Sequence, residues 1–349
     1  MRPPVRPTGA PVTVRPADAL DRIVYLLDRV LAEGQKVRAF ARARDVVEAT
    51  GDDEIARLHA AGKLTDLAGI GPTTARVIAE ALDGDVPSYL AQLEGETVID
   101  PGEGADLRAA LRGDCHTHST WSDGGAPIEK MARTAIALGH EYMVLTDHSP
   151  RLTVAHGLNA ERLRQQLEEV RRLNRELAPF RILTGIEVDI LEDGALDQTE
   201  EMLAQLDVVV ASVHSKLRME RREMTRRMVT AVASPHVDIL GHCTGRKLVG
   251  RGRPPSTFDA EVVFAACAQF DTALEINCRP ERQDPPDELL ALALDWDLRF
   301  AVDTDAHAPG QMEWQAYGCD KAARHGVDPD RIVNTMAADD LVAWAAGHA

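Results

Sequence analysis

Hydrophobic residues in the first part of the chain recur at helical spacing. Residues 18–34 contain one apolar stripe, and the stripe is followed by Gly34, a residue type that commonly ends a helix. The members of this stripe are Leu20, Ile23, Val24, Leu27, Val30 and Leu31. Helical patterns continue to about residue 93. We therefore predict an all-α domain over residues 17–98.

Two segments of this domain have features suited to nucleic acid. The second predicted helix, residues 36–50, presents four cations before its first acid, namely Lys36, Arg38, Arg42 and Arg44. The tight turn at Gly69 and Gly71 precedes another helix, which Thr73 or Thr74 can cap. A turn of this kind directs backbone N–H groups at a phosphate without reading base sequence. A plain corner between two helices has the same local pattern.

The pattern changes at Gly113, where short apolar runs begin to alternate with helical stretches such as 160–178 and 257–269. The predicted strands are residues 113–116, 141–146, 181–188, 207–213, 237–240, 273–277 and 299–303. Repeated strand–helix units produce a parallel sheet. Seven such units predict an α/β fold over residues 113–349, a seven-stranded, distorted TIM-like β/α barrel. An open doubly wound sheet is the alternative.

The remaining segments predict connections and a tail. Residues 1–16 contain five prolines and no acid, which indicates a disordered tail. Residues 99–112 are typical of a linker with a short helical piece. The chain begins without an apolar signal-peptide core, and no window approaches 18 uncharged apolar residues. We therefore expect a soluble, cytoplasmic protein that makes no contact with membranes.

Charge and cysteine content narrow the function classes. The net charge of −17 argues against a protein that coats nucleic acid with its whole surface. Residues 1–96 hold 12 basic and 15 acidic side chains, so most of the excess negative charge lies further along the chain. The five cysteines have no CxxC spacing, which argues against a disulfide framework or a structural zinc site.

Histidines and carboxylates follow almost every predicted strand. These candidate metal ligands are His116, His118, Asp123, His148, Glu187, His214, His242, Asp305 and His307. The carboxyl ends of parallel barrel strands converge on one face, so these side chains are expected to meet there. Imidazole with carboxylate is a ligand set for Zn, Mn or Fe and is less suited to Mg. Each histidine alone is more typical of a core or loop residue; the joint pattern predicts a metal centre.

The motifs resemble those of the polymerase and histidinol phosphatase (PHP) family. The matching segments, in chain order, are DCHTHSTWSDG, LTDHS, GIEVDI, SVHS, GHCTGR, EIN and DTDAH, between about residues 114 and 307. The resemblance implies a trinuclear metal phosphoesterase with two to three divalent ions. It implies one ion at His116, His118, Glu187 and Asp305. It implies a second ion at His214 and His242, bridged by Glu187, and a third at Asp123, His148 and His307.

Clustered divalent ions activate water and offset phosphate charge, so this chemistry requires no nucleophilic side chain. Cys115 and Cys243 are accordingly interpreted as packing residues. Arginine is suited to bidentate phosphate binding, and Arg246 and Arg282 fit family-like positions as substrate-binding catalytic groups. Three further loop arginines, Arg251, Arg253 and Arg279, are equally compatible with solvated charges. Of the histidines outside the motifs, only His156 is a candidate for substrate contact.

The N-terminal pattern is similar to the small domain of family-X DNA polymerases, which ends in a helix-hairpin-helix, and bacterial members also carry a PHP domain. Residues 98–114 are too short to hold the polymerase palm and fingers, which excludes polymerase activity. The lyase activity of some relatives needs a lysine where this chain has Val77.

Three hypotheses remain open on the sequence. The first is a metal-dependent phosphoesterase in DNA end processing or repair, acting as a 3′-5′ exonuclease, a 3′-phosphatase or an abasic-site cleaving enzyme. Its N-terminal domain would bind DNA without sequence specificity. The second is a small-metabolite phosphatase of the histidinol-phosphatase type. The third is a non-catalytic DNA-binding protein, which the filled ligand positions disfavour.

Overall fold

The computed structural model describes residues 14–348, and the chain divides between Val98 and Ile99 into two units. Most of the predicted disordered tail, residues 1–13, lies outside the described residues. No helix in the described part of the chain combines the length and the apolar character needed to cross a lipid bilayer.

The first unit is helical, as predicted. Its helices are α1 (Pro16–Arg29), α2 (Gly34–Thr50), α3 (Asp52–Ala60), α4 (Pro72–Leu82) and α5 (Ser88–Glu96). Leu20, Ile23 and Leu27 of the predicted stripe are buried in its core. The helix ends earlier than predicted, because Leu31 adopts a left-handed φ of 52° and the exposed Val30 and Leu31 leave the apolar face.

The second unit is the predicted β/α barrel. Its helices are α6 (Ala105–Ala110), α7 (Ile128–Ala137), α8 (Ala160–Leu177), α9 (Glu200–Leu203), α10 (Arg221–Val232), α11 (Ala260–Gln269), α12 (Asp287–Leu294), α13 (Gln315–Arg324) and α14 (Ala338–Ala345). Its strands are β1 (Gly113–Thr117), β2 (Tyr142–Leu145), β3 (Arg181–Asp189), β4 (Val208–Ser212), β5 (Ile239–Leu240), β6 (Ala273–Asn277) and β7 (Phe300–Asp303). All seven predicted strands are present.

The strands pair in parallel in the order β1 to β7, and the sheet curls into a nearly closed barrel instead of the open alternative. A parallel bridge between Thr117 and Ala306 joins the two ends of the sheet. Apolar side chains from all seven strands form one cluster with Val333 and Leu341 of the C-terminal segment. The barrel is therefore a packed core with its polar groups at one end.

Two buried amides secure the seam between β1 and β7. The side-chain amide of Asn334 donates to the carboxylate of Asp303 at 2.8 Å and accepts from the N–H of Val302 at 2.7 Å. Gln315 donates to the carbonyl oxygens of Gly113 and Val302 at 2.9 and 3.0 Å. These bonds satisfy backbone groups that the short pairing of β1 with β7 leaves open.

Residues 99–112, which the sequence indicates as a linker, pack on the barrel. The side chains of Leu107 and Leu111 belong to the barrel core. A Cβ at Gly104 would lie 2.2 Å from the carbonyl carbon of Cys319, so this segment approaches α13 backbone to backbone. The sequence indicated a linker because the short helix α6 has too few apolar residues to predict a buried element.

Candidate metal centre

The nine predicted ligands lie together at the carboxyl end of the barrel. His116 and Glu187 lie near the carboxyl ends of β1 and β3, and the other seven lie in the loops that follow strands. The carboxyl ends of all strands of a parallel barrel share one face. Between Asp114 and Thr117 the pairing of β1 with β2 shifts register by one residue. A bulge of this kind re-aims side chains, and it lies beside His116. Asp305, directly after β7, has a left-handed φ of 52°, an uncommon conformation outside glycine.

Glu187 is the centre of the arrangement. Its side chain is 1% exposed, and five histidines surround its two oxygens. Oε1 lies 2.8 Å from Nε2 of His242 and 3.1 Å from Nε2 of His214. Oε2 lies 2.8 Å from Nδ1 of His148, and 3.4 and 3.6 Å from Nε2 of His116 and His118. The two oxygens thus face different groups of imidazoles, as a bridging ligand would.

A second group forms around Asp123. Its Oδ1 lies 3.3 Å from Nε2 of His307 and 3.5 Å from Nε2 of His148. Buried Asp147 fixes the loop that carries Asp123, because it accepts hydrogen bonds from the backbone and hydroxyl groups of Ser119 and Ser122. The motif LTDHS therefore contributes both a candidate ligand and the carboxylate that orders another ligand's loop.

Donor atoms close enough to share an ion form three sets, and their membership differs in part from the expected one. One set is His116, His118 and Glu187; another is His148, Glu187 and His214; the third is His118, Asp123, His148 and His307. His118 and His148 therefore each belong to two sets, whereas the family resemblance assigned each of them to one ion. Asp305 contacts His118 at 3.4 Å, which keeps it beside the first set.

The hydrogen bonding of these side chains fits divalent ions. Among the described residues, the buried nitrogen and oxygen atoms without a hydrogen-bond partner include Nε2 of His116, both ring nitrogens of His118 and of His214, Nδ1 of His148 and of His242, and Oε2 of Glu187. Unsatisfied buried polar atoms are rare and need an explanation. Metal coordination supplies one, because imidazole nitrogen and carboxylate oxygen are the donors that Zn, Mn and Fe take.

The electrostatics of Glu187 and His118 fit the same interpretation. Burial would raise the pKa of Glu187, but the surrounding histidines outweigh it and hold this pKa well below its usual range. Burial lowers the pKa of His118, and His307 and His148 lower it further. His214 differs, since Glu187 and Asp189 outweigh its burial and raise its pKa to about 9. A charged carboxylate and a neutral imidazole are the forms that bind a metal ion.

Comparison with known proteins agrees with this geometry. The model of the PHP domain matches residues 114–277. A probable phosphatase of Thermoanaerobacter sp. is 31% identical over 243 residues, which cover 64% of this chain and 89% of that protein. The chain belongs to the PHP family. It is a hydrolase of phosphoester bonds, as expected.

Two further similarities accompany this assignment. The DNA polymerase/3'-5' exonuclease PolX of Bacillus subtilis is 39% identical over 251 residues, which cover 72% of this chain. The match spans only 44% of that relative's length. A crystal structure of histidinol phosphate phosphatase from Lactococcus lactis, complexed with zinc, L-histidinol and phosphate, aligns with a TM-score of 0.44 at 21% identity. That alignment covers 61% of this chain and 94% of the other.

Two carboxylates that the sequence analysis did not select orient histidines of the PHP centre. Glu275 is fully buried on β6, and its Oε1 lies 2.6 Å from Nδ1 of His116. This contact turns Nε2 of His116 towards Glu187. Asp189 accepts from the backbone N–H of His214 at 3.1 Å and lies 3.5 Å from its Nδ1. Carboxylates that hold the second nitrogen of a ligating histidine are typical of metal sites.

The sequence contained a partial signal for both residues. Each is an acid in a strand that also contains a run of apolar residues, and an unpaired buried charge would be costly there. Which histidine each one faces depends on how neighbouring strands align, and the pattern along one strand does not contain that information.

A cavity of about 270 Å³ opens beside the centre. Arg282 lines it, and its Nε lies 3.3 Å from Asp305 Oδ2. Its Nη1 has no hydrogen-bond partner among the described residues. Arg279 and Lys247 line the same cavity. Three cations therefore face a space next to the metal ligands, which fits an anionic substrate.

Arg246 does not face this cavity, contrary to the role expected for it. Its Nε donates to the carbonyl oxygen of Arg282 at 2.8 Å, and its Nη2 donates to that of Gln283. The guanidinium is thereby occupied with the backbone of the loop that carries Arg282. Arg246 positions that loop, and Arg279, one of the less favoured arginines, takes the place beside the centre.

The other histidines and cysteines for which the sequence suggested a role are not candidate metal ligands. His156 is exposed and does not line the cavity. His140 is buried, and burial together with Arg108 lowers its pKa to about 3, as for a core imidazole. Cys115 and Cys243 are buried free thiols, and burial raises both pKa values well above the ordinary value. Such thiols are packing residues.

The helical unit brings its own candidate residues together. Gly69 has a φ of 102°, and a Cβ there would lie 3.1 Å from the side chain of Arg42, so the hairpin turn packs on α2. Thr74 is buried, and its hydroxyl accepts from the N–H of Gly71 at 2.9 Å. Lys36, Arg38 and Thr73 are exposed. The turn and the cations of α2 therefore share one region of this unit.

Replacing Glu275 should weaken metal binding without removing a ligand. In Glu275→Gln the amide cannot accept from both His116 and the backbone N–H of His242, so the His116 ring loses its fixed orientation. We expect affinity for Mn²⁺ or Zn²⁺ to fall about 10- to 100-fold, as measured by chelator competition. Exposed Glu288, in Glu288→Gln, is the matched control. Equal metal affinity of Glu275→Gln and the wild type would contradict the positioning role.

Substitution of Arg282 and substitution of Arg246 should differ in their effect on kcat/KM. A charge-assisted hydrogen bond contributes about 1.5–3 kcal/mol, so Arg282→Ala should lower kcat/KM for a phosphoester about 10- to 150-fold. Arg246→Ala should cost less, because its contacts are to the loop backbone. Arg175→Ala, an exposed arginine of α8, controls for loss of one positive charge. A larger loss in Arg246→Ala than in Arg282→Ala would reverse the two assignments.

Proposed function

We propose that this PHP protein is a metal-dependent phosphoesterase that processes DNA ends or damaged DNA. Candidate reactions are 3′-5′ exonuclease, 3′-phosphatase and abasic-site cleavage. The observation that carries the proposal is the buried Glu187 carboxylate with five imidazoles around it and a cationic cavity beside it. Two to three divalent ions, Zn, Mn or Fe, would be held by the nine candidate ligands.

Each group of side chains has a distinct part in this proposal. Bound dications would activate water and neutralise charge on the phosphate. Arg282 and Arg279 would hold the phosphate against the centre through charge-assisted hydrogen bonds. Glu275 and Asp189 would keep the ligating imidazoles in the required orientation and tautomer. The buried Asp147 would hold the loop of Asp123 in place.

The preference for DNA rests on the first unit. Its hairpin turn and the exposed cations of α2 suit a DNA backbone, bound without base readout. The printed name of the Bacillus subtilis relative includes a 3'-5' exonuclease. All five cysteines are free and buried, which suits the reducing conditions of the cytoplasm, where we place the protein.

A small-metabolite phosphatase of the histidinol-phosphatase type is the second candidate. One observation favours it, namely that a cavity of about 270 Å³ suits a small phosphate ester. The Thermoanaerobacter relative, which the match covers to 89%, is named as a probable phosphatase. The non-catalytic alternative is disfavoured by the complete ligand set.

A substrate screen separates these candidates. The metal-loaded full chain should hydrolyse 3′-phosphorylated, abasic or single-stranded DNA with a higher kcat/KM than any member of a panel of sugar and amino-alcohol phosphates. Chelation should abolish both activities, and Glu187→Gln should lower both at saturating metal, because Glu187 contacts both groups of imidazoles. Turnover confined to the small phosphates would overturn the DNA assignment in favour of the phosphatase.

Substitution of two cations of α2 tests DNA binding separately from hydrolysis. Lys36→Ala with Arg38→Ala in the full chain should weaken binding to duplex DNA and reduce the slope of log affinity against log salt by about 2. The charge-matched control is Arg22→Ala with Arg57→Ala, because both arginines already pair with carboxylates in the same unit. Identical salt slopes for the two double variants would remove α2 from the DNA-binding surface.

A further inference from the structure

Two loops beside the metal centre are cationic in a chain that is otherwise acidic. Residues 241–258, after β5, contain Arg246, Lys247, Arg251 and Arg253 and no acid. Residues 213–219, after β4, contain Lys216 and Arg218 and no acid. Both strands also deliver a candidate metal ligand, His242 and His214. The positive charge is thus concentrated at the mouth of the site, against a net charge of −17.

Hydrogen bonds hold these two loops in one arrangement. The hydroxyl of Ser256 donates to the carbonyl oxygen of Leu217 at 2.9 Å, which joins the β5 loop to the β4 loop. Lys247 and Arg253 exchange backbone hydrogen bonds of 2.9 Å in each direction. The N–H of Leu248 donates to the carbonyl oxygen of Glu281 at 2.7 Å, which fixes the tip of the loop beside the Arg279–Arg282 segment.

A second cavity lies next to the one at the metal centre. It measures about 480 Å³, and Lys216, Arg218 and Arg253 supply the charged part of its lining. Lys247 lines the catalytic cavity, and its backbone partner Arg253 lines this second one. The two cavities therefore flank a single pair of residues. We refer to the second cavity, with its cations and Arg251 at the loop tip, as the basic groove.

The cations of the basic groove lack acidic partners. Among the described residues, no ion pair involves Lys216, Arg218, Arg251 or Arg253, nor Lys247 of the neighbouring catalytic cavity. Burial lowers the pKa of Lys247, and the neighbouring Arg282, Arg253 and Arg279 lower it further, although Glu281 opposes them in part. Neighbouring cations with few acidic partners form a surface suited to an anion.

We propose that the basic groove binds the backbone phosphates of a single nucleic acid strand whose terminal or scissile phosphate lies at the metal centre. This inference rests on the proposed function and specifies its substrate class. A substrate with one phosphate would use only the cations of the catalytic cavity, namely Arg279, Arg282 and Lys247. Cations outside that cavity would contact the additional phosphates of a longer substrate. The groove lining contains no aromatic side chain for base stacking, so the cations would contact phosphates, and phosphate contacts carry no base-sequence information.

The test uses the full-length, metal-loaded protein and a short fluorescein-labelled oligothymidylate. The groove variant is Arg218→Ala with Arg251→Ala, because both side chains are exposed and their loss leaves the loop hydrogen bonds intact. The control is Arg175→Ala with Arg226→Ala, two exposed arginines on the outer helices α8 and α10. Affinity is measured by fluorescence anisotropy as a function of salt. Turnover is measured on the oligonucleotide and on thymidine monophosphate.

We expect the groove variant to bind the oligonucleotide at least about tenfold more weakly than the control, with a salt slope smaller by about 1.4. The loss of kcat/KM should be at least tenfold greater on the oligonucleotide than on thymidine monophosphate. Equal affinities and salt slopes for the groove and control variants would overturn the proposal. So would displacement of the oligonucleotide by tripolyphosphate at equal phosphate concentration, because it would show a site for small polyanions.

The outcomes also distinguish this inference from the proposed function. If the wild type binds the oligonucleotide through the groove but hydrolyses only small phosphates, the DNA-processing function fails and the groove remains. If the wild type hydrolyses DNA ends and the groove variant does so equally well, the groove fails and the function remains.

Discussion

The buried carboxylate of Glu187 is the constraint on which the rest of the site depends. A charged carboxylate at 1% exposure is costly unless positive charge or hydrogen bonds compensate it. Five histidines approach its oxygens, and several of their ring nitrogens have no hydrogen-bond partner among the described residues. Divalent ions held by these residues would satisfy the carboxylate and the imidazoles together. Metal binding and the stability of this end of the barrel are therefore coupled.

The parallel barrel makes this arrangement possible. Each strand contributes one or two side chains at the same end, so ligands far apart in the chain meet without long loops. The fully buried acids Asp114, Glu275 and Asp303 receive hydrogen bonds from backbone N–H groups in, or just after, neighbouring strands. Burial raises the pKa of Asp114 to about 6, which reflects how little water reaches this carboxylate. The candidate ligands are thus accompanied by buried acids that are themselves hydrogen-bonded to the backbone.

Charge is unevenly distributed over the molecule, and this bears on where a nucleic acid would bind. The chain as a whole is acidic and should repel nucleic acid at long range. Positive charge clusters at the mouth of the barrel, around Lys247 and Arg282, and on the exposed face of α2, while other exposed arginines such as Arg175 and Arg226 are scattered over the outer helices. The cluster at the mouth of the barrel would direct a polyanion towards the metal centre. A uniformly basic surface would bind the same polymer without regard to its ends.

The sequence by itself determined the fold and the identity of the candidate ligands. The strand–helix alternation after Gly113 predicted the seven-stranded barrel, because periodicity is a local property of the chain. The residues that follow each strand predicted the cluster, because all strands of a parallel barrel end on one face. Asp123 and His307 were selected in this way although 184 residues separate them in the chain, and their side chains lie 3.3 Å apart.

Only the tertiary structure decided which side chains face one another. Glu275 orients His116 because β6 and β1 place their side chains in the same layer of the barrel interior, a relation that no single strand contains. Arg246 and Arg282 occupy similar loops, yet Arg246 is bound to the carbonyl oxygens of Arg282 and Gln283 while Arg282 faces the cavity. The packing of residues 99–112 could not be predicted from the sequence for the same reason, because burial depends on the surface of the barrel against which the segment packs. Local patterns specify elements, whereas contacts between elements depend on register and loop conformation.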